Sequence, residues 1–332
     1  MFAIYKKMKE LGLLGINRRN ADYIRLYNKR AYFPLVDDKL RTKQLAQQAG
    51  LPVPELYGVI SIEHEVATLG ELLKPYDQFV IKPAQGSGGD GIIVVTGKRK
   101  NRYLKSNGAL ISQEELEHHA SNILSGMYSL GGHTDKALIE YCVQFDPLFN
   151  EVSYRGVPDI RIIVFLGYPV MGMIRLPTRQ SQGKANLHQG AIGVGIDLST
   201  GKTLRGVWQN QVTDSHPDTD NDIEGLQLPQ WDTLLEMAAR CYELTGLGFL
   251  GVDIVLDKTK GPMILELNAR PGLSIQIANR QGLLPRLQLI ESLTEHATPL
   301  LDRLNSPLDR VAFCKKQFSQ LNLKPSLKGS SQ

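Results

Sequence analysis

A chain of 332 residues with 42% hydrophobic and 22% charged residues has ample apolar side chain for a core, which excludes disorder as its dominant state. At roughly 100–200 residues per domain, the length suggests two lobes or one large two-part domain. The formal net charge of +4, small and read as dispersed, permits an anionic small-molecule ligand but argues for neither nucleic acid nor a membrane surface as partner. Cys142, Cys241 and Cys314 lie far apart without metal-ligand spacing, so a reducing compartment is expected rather than a disulfide scaffold. Lys6, Lys7 and Lys9 precede only a short apolar stretch, 11–16, too brief for a signal peptide. The most apolar run, 162–174, is shorter than the ~20 residues of a spanning helix and contains Gly167 and Pro169. It reads as two buried strands, and the expected location is the cytoplasm.

In chain order, residues 37–50 read as a helix. Asp37 and Asp38 stand at its start, Leu40, Leu45 and Ala49 are spaced for one face, and Gly50 with Pro52 stops it. Residues 79–83 and 91–95 read as strands joined by a glycine-rich turn. Ser112-Gln-Glu-Glu115 is a capping box opening a helix to about residue 130. The segments 137–143, 160–166, 169–176, 190–196, 250–256 and 262–268 are rich in Ile, Val and Leu and read as strands. Between the fourth and fifth, Pro229 starts a helix with apolar Leu234, Leu235, Ala238 and Tyr242, closed by Gly246. Another helix is expected over 284–304, and the polar stretch 324–332 reads as a disordered tail. Strands in hairpin-like succession with intervening helices predict an α+β architecture of mostly antiparallel sheets.

Three constellations carry chemistry. In Lys82-Pro-Ala-Gln-Gly-Ser-Gly-Gly-Asp-Gly91, glycines let backbone N–H groups approach an anion, with Lys82 at the strand end to meet a phosphate. No Gly-Lys-Ser/Thr closes this loop, so it is not a Walker A motif, and by itself it is equally a flexible hairpin turn. Glu266 and Asn268, two apart in a strand, project to one side, and Asp253 lies on the preceding strand. Such hard oxygen donors suit Mg²⁺, the alternative being a solvated sheet face. Asn268-Ala-Arg-Pro-Gly272 adds the cation Arg270 and a sharp turn beside them. Arg161, Arg175 and Lys184 frame another strand pair and could stabilise charge on a transferring group, or simply snorkel at strand ends. Arg161 is expected to meet an anion, the structural alternative being a pair with Asp159 or Glu140. His188 reads as an exposed or structural loop histidine, and His118-His119 as a solvated helix face.

The order of these features resembles the ATP-grasp superfamily, and within it the RimK-type alpha-L-glutamate ligases. The resemblance rests on Asp38-Lys-Leu-Arg-Thr42 with Gly50-Leu-Pro-Val-Pro54, Val80-Ile-Lys-Pro83 with its glycine loop, Ile139-Glu-Tyr141, and Asp159-Ile-Arg161. It continues through Asn186-Leu-His-Gln-Gly190, Gly251-Val-Asp253 and Glu266-Leu-Asn-Ala-Arg-Pro-Gly272, covering roughly residues 37–290. It implies an ATP-grasp fold of two lobes, 37–143 and 144–304, with ATP between them, a short segment 1–36 before and an extension 305–332 after. Lys39 and Lys82 would contact the nucleotide, Gly86, Ser87, Gly88 and Gly89 would cover its phosphates, and Glu140, Tyr141 and Cys142 would border adenine. Asp159 would face the nucleotide. Asp253, Glu266 and Asn268 would hold two Mg²⁺ ions, with Mn²⁺ as an alternative ion.

Arg161, Arg175, Lys184, Asn186 and Arg270 would form the catalytic set. RimK-type ligases carry a separate N-terminal α/β domain, whereas about 36 residues precede the lysine-bearing helix here. The implied reaction is ATP-dependent joining of a carboxylate and an amine through an acyl-phosphate. It would add glutamate or another amino acid to a peptide or small-molecule acceptor, and a homo-oligomer is compatible with it. The alternatives are an ATP-grasp phosphotransferase of different product and a non-catalytic nucleotide-binding module.

Overall fold

Strands β1 (Leu56–Ile60), β2 (Phe79–Pro83), β3 (Ile93–Arg99), β4 (Arg102–Lys105), β5 (Leu110–Ile111) and β6 (Ala137–Glu140) form the first sheet of the computed structural model. Its order is β1-β6-β2-β3-β4-β5, each neighbouring pair antiparallel. Alternation along these strands divides the side chains between two faces. Phe79, Ile81, Val95 and Ile139 pack with Leu116, Ala120 and Ile123 of the helix Gln113–Leu124 into a small core. Val80, Lys82, Leu138 and Glu140 stand opposite one another on the other face. The structure describes residues 2–86, 88–129, 131–295 and 306–322. Ser87, the later part of the helix expected over 284–304 and the tail 324–332 lie outside them.

Strands β7 (Asp159–Phe165), β8 (Tyr168–Leu176), β9 (Ile192–Ile196), β10 (Thr203–Trp208), β11 (Gln211–Thr213), β12 (Phe249–Asp257) and β13 (Gly261–Asn268) build the second sheet. Its order is β11-β10-β9-β8-β7-β12-β13, again antiparallel throughout. Every residue of β12 is buried, which explains why the central strands read as unbroken apolar runs rather than alternating ones. The helix Trp231–Thr245 places Trp231, Leu234, Leu235, Ala238 and Cys241 in this larger core, and Gly246 caps it in the left-handed conformation at φ 66°. The helix Pro307–Asn322 adds Val311, Cys314 and Phe318. The expected α+β architecture of antiparallel sheets is therefore present.

Several boundaries differ from expectation. The helix expected over 37–50 is Lys39–Gln48, because Asp38 acts as N-cap and accepts from the Leu40 and Arg41 N–H groups at 2.8 and 3.2 Å. The capping box at Ser112 and Glu115 forms, but its helix ends at Leu124, where Gly126 turns the chain at φ 85°. Strand β6 stops at Glu140, since the following residues leave the sheet to bind the β12–β13 turn. The short, amphipathically weak strands β1, β4, β5, β10 and β11 were not anticipated.

The N-terminal residues do not stand apart. A helical run over 16–27 inserts Tyr23 and Ile24 into the larger core. Buried Asn28 then bridges strands, its Nδ2 donating to the carbonyls of Phe249 (2.8 Å) and Ala269 (2.9 Å) while its Oδ1 accepts from Phe249 N–H. Positive charge is concentrated here rather than dispersed. Lys6, Lys7, Lys9, Arg18, Arg19, Arg25, Lys29 and Arg30 stand against only Glu10 and Asp22 in the first 30 residues.

Candidate active site

One face of the second sheet gathers most of the charged residues singled out above. Directly opposed residues of antiparallel strands share a face. The register sets Asp159 against Arg175, Arg161 against Asp253, and Asp253 against Glu266, with Asn268 two residues beyond. Arg161 holds Asp253 with two parallel bonds, Nε to Oδ1 at 2.7 Å and Nη2 to Oδ2 at 2.6 Å. Arg175 grips both oxygens of Asp159 and reaches Asp253 Oδ2 at 2.8 Å. Two guanidinium groups thus balance two buried carboxylates in a closed network. Burial works to raise the Asp253 carboxyl, but Arg161 and Arg175 outweigh it and hold it below the usual carboxylate range. Arg161 therefore pairs with neither Asp159 nor Glu140, the two partners weighed from the sequence.

Glu266 is the more open carboxylate of this face, with Lys39 Nζ 3.6 Å away. Asn268 Oδ1 accepts from the Arg270 backbone N–H at 2.8 Å, which fixes the amide at the strand end. Among the described residues, no group of three or more His, Cys, Asp and Glu side chains is placed to hold a metal ion. The donor set fits Mg²⁺ in a narrower way. Glu266 and Asn268 supply two hard oxygens at the cleft, a number that suits an ion completing its shell with water and phosphate. Both Asp253 oxygens are engaged by arginines.

The neighbouring charged groups come from β2 and β6 of the first sheet and from the Lys39–Gln48 helix, whose Ala46 packs in the larger core. Lys82 on β2 and Lys43 on the Lys39–Gln48 helix converge on Glu140, and all three are buried. The glycine loop hangs from the end of β2 and is fixed at both ends. Asp135 accepts from Gln85 N–H at 2.9 Å and Ser129 Oγ at 2.9 Å. At the far end His119 Nε2 lies 2.9 Å from the Gly91 carbonyl, so this histidine is half-buried rather than solvated; only His118 is exposed. Gly86 and Gly91 are required by space: a Cβ at either would fall 2.3 Å from Pro83 or 2.5 Å from Tyr128. Lys39 Nζ donates to the Gly86 carbonyl, and Lys184 Nζ reaches Asp90 at 3.2 Å from the second lobe. Gly88 and Gly89 lie in the loop between them, with Ser87 outside the described residues.

Tyr141 and Cys142 run from one lobe into the other. The Tyr141 hydroxyl and the Gln144 N–H both donate to Asp257 Oδ2, at 2.9 and 2.8 Å. Burial pushes the Cys142 thiol up to about 11. Two residues stand apart from the cluster. Arg270 turns toward Asp37 at 3.3 Å and lies over the Phe33 ring. Asn186 caps a single turn by accepting from His188 N–H at 3.0 Å, leaving His188 exposed. Sequence reasoning missed Lys43, Asp135 and Asp257. Lys43 could have been found from its i,i+4 relation to Lys39. Asp257 ends β12 and Asp135 precedes β6, and the partners that give them their roles, Tyr141 and Gln144 for the one and Gln85 for the other, are remote in sequence.

The family model of sugar-transfer associated ATP-grasp proteins matches residues 18–292. The chain belongs to that family. Its ATP-grasp fold, with two antiparallel sheets flanked by helices, agrees with the resemblance drawn from the motifs. Curated relatives of the ATP-grasp chain include a probable alpha-L-glutamate ligase of Enterobacter sp. (strain 638), 22% identical over 264 residues, covering 79% of this chain and 65% of that protein. The ribosomal protein bS6–L-glutamate ligase of Salmonella newport is 23% identical over the same shares. Cyanophycin synthetase of Crocosphaera subtropica is 24% identical over 82% of this chain and 31% of that protein. The chain thus spans 65% of the length of the two glutamate-ligase relatives. Among solved structures, D-alanine–D-alanine ligase from Bacillus anthracis overlays with a TM-score of 0.41 at 15% identity, covering 87% of this chain and 69% of that one. No described helix is long and apolar enough to cross a membrane.

Proposed function

We propose that the protein is an ATP-dependent carboxylate–amine ligase. The observation that carries this reading is the paired Arg161–Asp253–Arg175–Asp159 network lying beside Glu266, with Lys39 linking that carboxylate to the glycine loop. Such a site offers fixed positive charge, hard oxygen donors and a backbone cradle, which suits phosphoryl transfer, where positioning and charge neutralisation carry most of catalysis. The names of its relatives, glutamate ligases and a cyanophycin synthetase, support ligation as the reaction.

In this reading Lys82, Lys39 and the glycine loop bind the nucleotide phosphates, with adenine beside residues 140–142. Glu266 and Asn268 hold Mg²⁺, which when bound offsets phosphate charge; Asp253 stands behind them and orients both arginines. A substrate carboxylate oxygen attacks the γ-phosphorus and ADP leaves, giving an acyl-phosphate. The acceptor amine attacks the acyl carbon, inorganic phosphate leaves, and the nitrogen releases a proton as the amide forms. Arg161 and Arg175, whose Nε and Nη2 groups are engaged by Asp253 and Asp159, act on the group being transferred through their remaining guanidinium N–H groups. The acceptor is a peptide or small amine; the family description, sugar-transfer associated, is the reason to include amine-bearing sugars in a screen.

The test is ADP release in a screen of carboxylic acids, amino acids, short peptides and amino sugars, with mass spectrometry of the products. Release that requires both an acid and an amine, with an amide product, supports the ligase. Release with a phosphorylated acceptor and no amine requirement would overturn it.

A further inference from the structure

Glu140 raises a question the nucleotide reading leaves open. Its carboxylate is 2% exposed and is shared by two ammonium groups, Lys82 on Oε1 and Lys43 on Oε2, the latter at 2.9 Å. Lys82 is the lysine placed to meet a phosphate. Were it the sole counter-ion, moving its charge toward a nucleotide would leave a buried carboxylate uncompensated, a state that proteins avoid by protonation or at a large cost. Lys43 removes that conflict. It lies four residues after Lys39 on one face of the helix Lys39–Gln48, is 4% exposed, and is also held by the Pro54 carbonyl.

We infer that Lys43 is a positioning residue: it keeps Glu140 neutralised while Lys82 turns its charge to a nucleotide phosphate. This rests on the nucleotide-binding reading above. The helix then carries two lysines with separate tasks, Lys39 at the glycine loop and Lys43 at the buried carboxylate. The groups acting on Glu140 are consistent with it. Burial tends to raise its carboxyl, and Lys82 from β2 and Lys43 from the helix together bring it below the usual carboxylate range. The nearby Cys142 thiol is pushed up by burial, Asp257 and Glu140, and stays neutral.

The experiment is calorimetric titration of the full chain with a non-hydrolysable ATP analogue and Mg²⁺, in two buffers of different ionisation enthalpy. Wild type should bind without proton uptake beyond that of the analogue itself. Lys43→Met should bind at least ~10-fold more weakly and take up a proton on binding, with affinity falling further as pH rises. Lys43→Arg, which keeps the charge, should stay within a few-fold of wild type. Lys43→Met combined with Glu140→Gln removes both charges, and its affinity should equal that of Glu140→Gln alone. Lack of binding by the wild type overturns the nucleotide reading. Binding by the wild type with an unaltered Lys43→Met, or a double variant much weaker than Glu140→Gln, overturns the role of Lys43. If Lys43→Met does not fold, the double variant and Lys43→Arg decide between these outcomes.

Discussion

Arg161 makes two parallel bonds to Asp253, and only a planar fork can make both. Lysine at this position keeps the charge but contacts one oxygen, while Arg175 still reaches Asp253. Arg161→Lys should therefore lower turnover per folded molecule at least ~10-fold, about 1.4 kcal/mol of transition-state stabilisation, and should also lower the melting temperature, because it loosens a buried charge pair. Steady-state kinetics and a thermal melt of the same preparation check it; a destabilised variant with a normal rate per folded molecule would refute the catalytic role. Glu266 contrasts with Asp253 in being more open, with Lys39 at 3.6 Å as its cationic neighbour among the described residues. Glu266→Gln should abolish Mg²⁺-dependent ADP release while leaving the fold intact, as circular dichroism would report. Retained turnover with Mg²⁺ would remove Glu266 from the metal site.

At the scale of elements, the connection from β6 into the second lobe depends on the turn between β12 and β13. Asp257 Oδ1 accepts from the Thr259 and Lys260 N–H groups, both at 2.9 Å, while Oδ2 serves Tyr141 and Gln144. Burial opposes ionisation of Asp257, but these bonds hold its carboxyl at about 2, below its unfolded value. The stabilisation is thus fully present above about pH 4 and is lost as pH falls through about 2. Asp257→Asn should cost roughly 1.5–3 kcal/mol, the range for hydrogen bonds to a charged group. It should also speed hydrogen exchange over residues 141–146 and flatten the acid limb of the stability curve between pH 4 and 2. Unchanged exchange there would mean that the segment is held by other contacts.

For the whole molecule, the glycine loop of the first sheet is tied to the second lobe by Lys39, which donates to the Gly86 carbonyl, and by Lys184 at Asp90, the latter a contact of modest strength at partly exposed groups. A nucleotide seated between the sheets adds binding energy to the folded state only. At an ATP-analogue concentration ~100 times its dissociation constant, linkage gives about 2.7 kcal/mol, enough to raise the melting temperature by several degrees. The shift should require Mg²⁺ and shrink in Glu266→Gln. A thermal shift assay without any nucleotide effect would contradict the cleft as the nucleotide site.

Composition, periodicity and motif order by themselves determined the α+β class and the family resemblance, and singled out most of the charged side chains that the second sheet gathers. Strand alternation alone puts Glu266 with Asn268 and Asp159 with Arg161 on common faces, because a period of two is a local property of extended chain. Only the tertiary structure decided how those pairs meet. The register of β7, β8, β12 and β13 brings Asp253 to Arg161 and Arg175, residues 78–92 positions away in sequence. Pairing between remote strands is set by packing of whole faces, and a single sequence carries no local mark of it. The same holds for Lys43 at Glu140, Asp135 beneath the glycine loop, and the N-terminal residues wedged by Asn28 into the second lobe. Each is a polar group whose meaning depends on burial beside a partner that folding supplies.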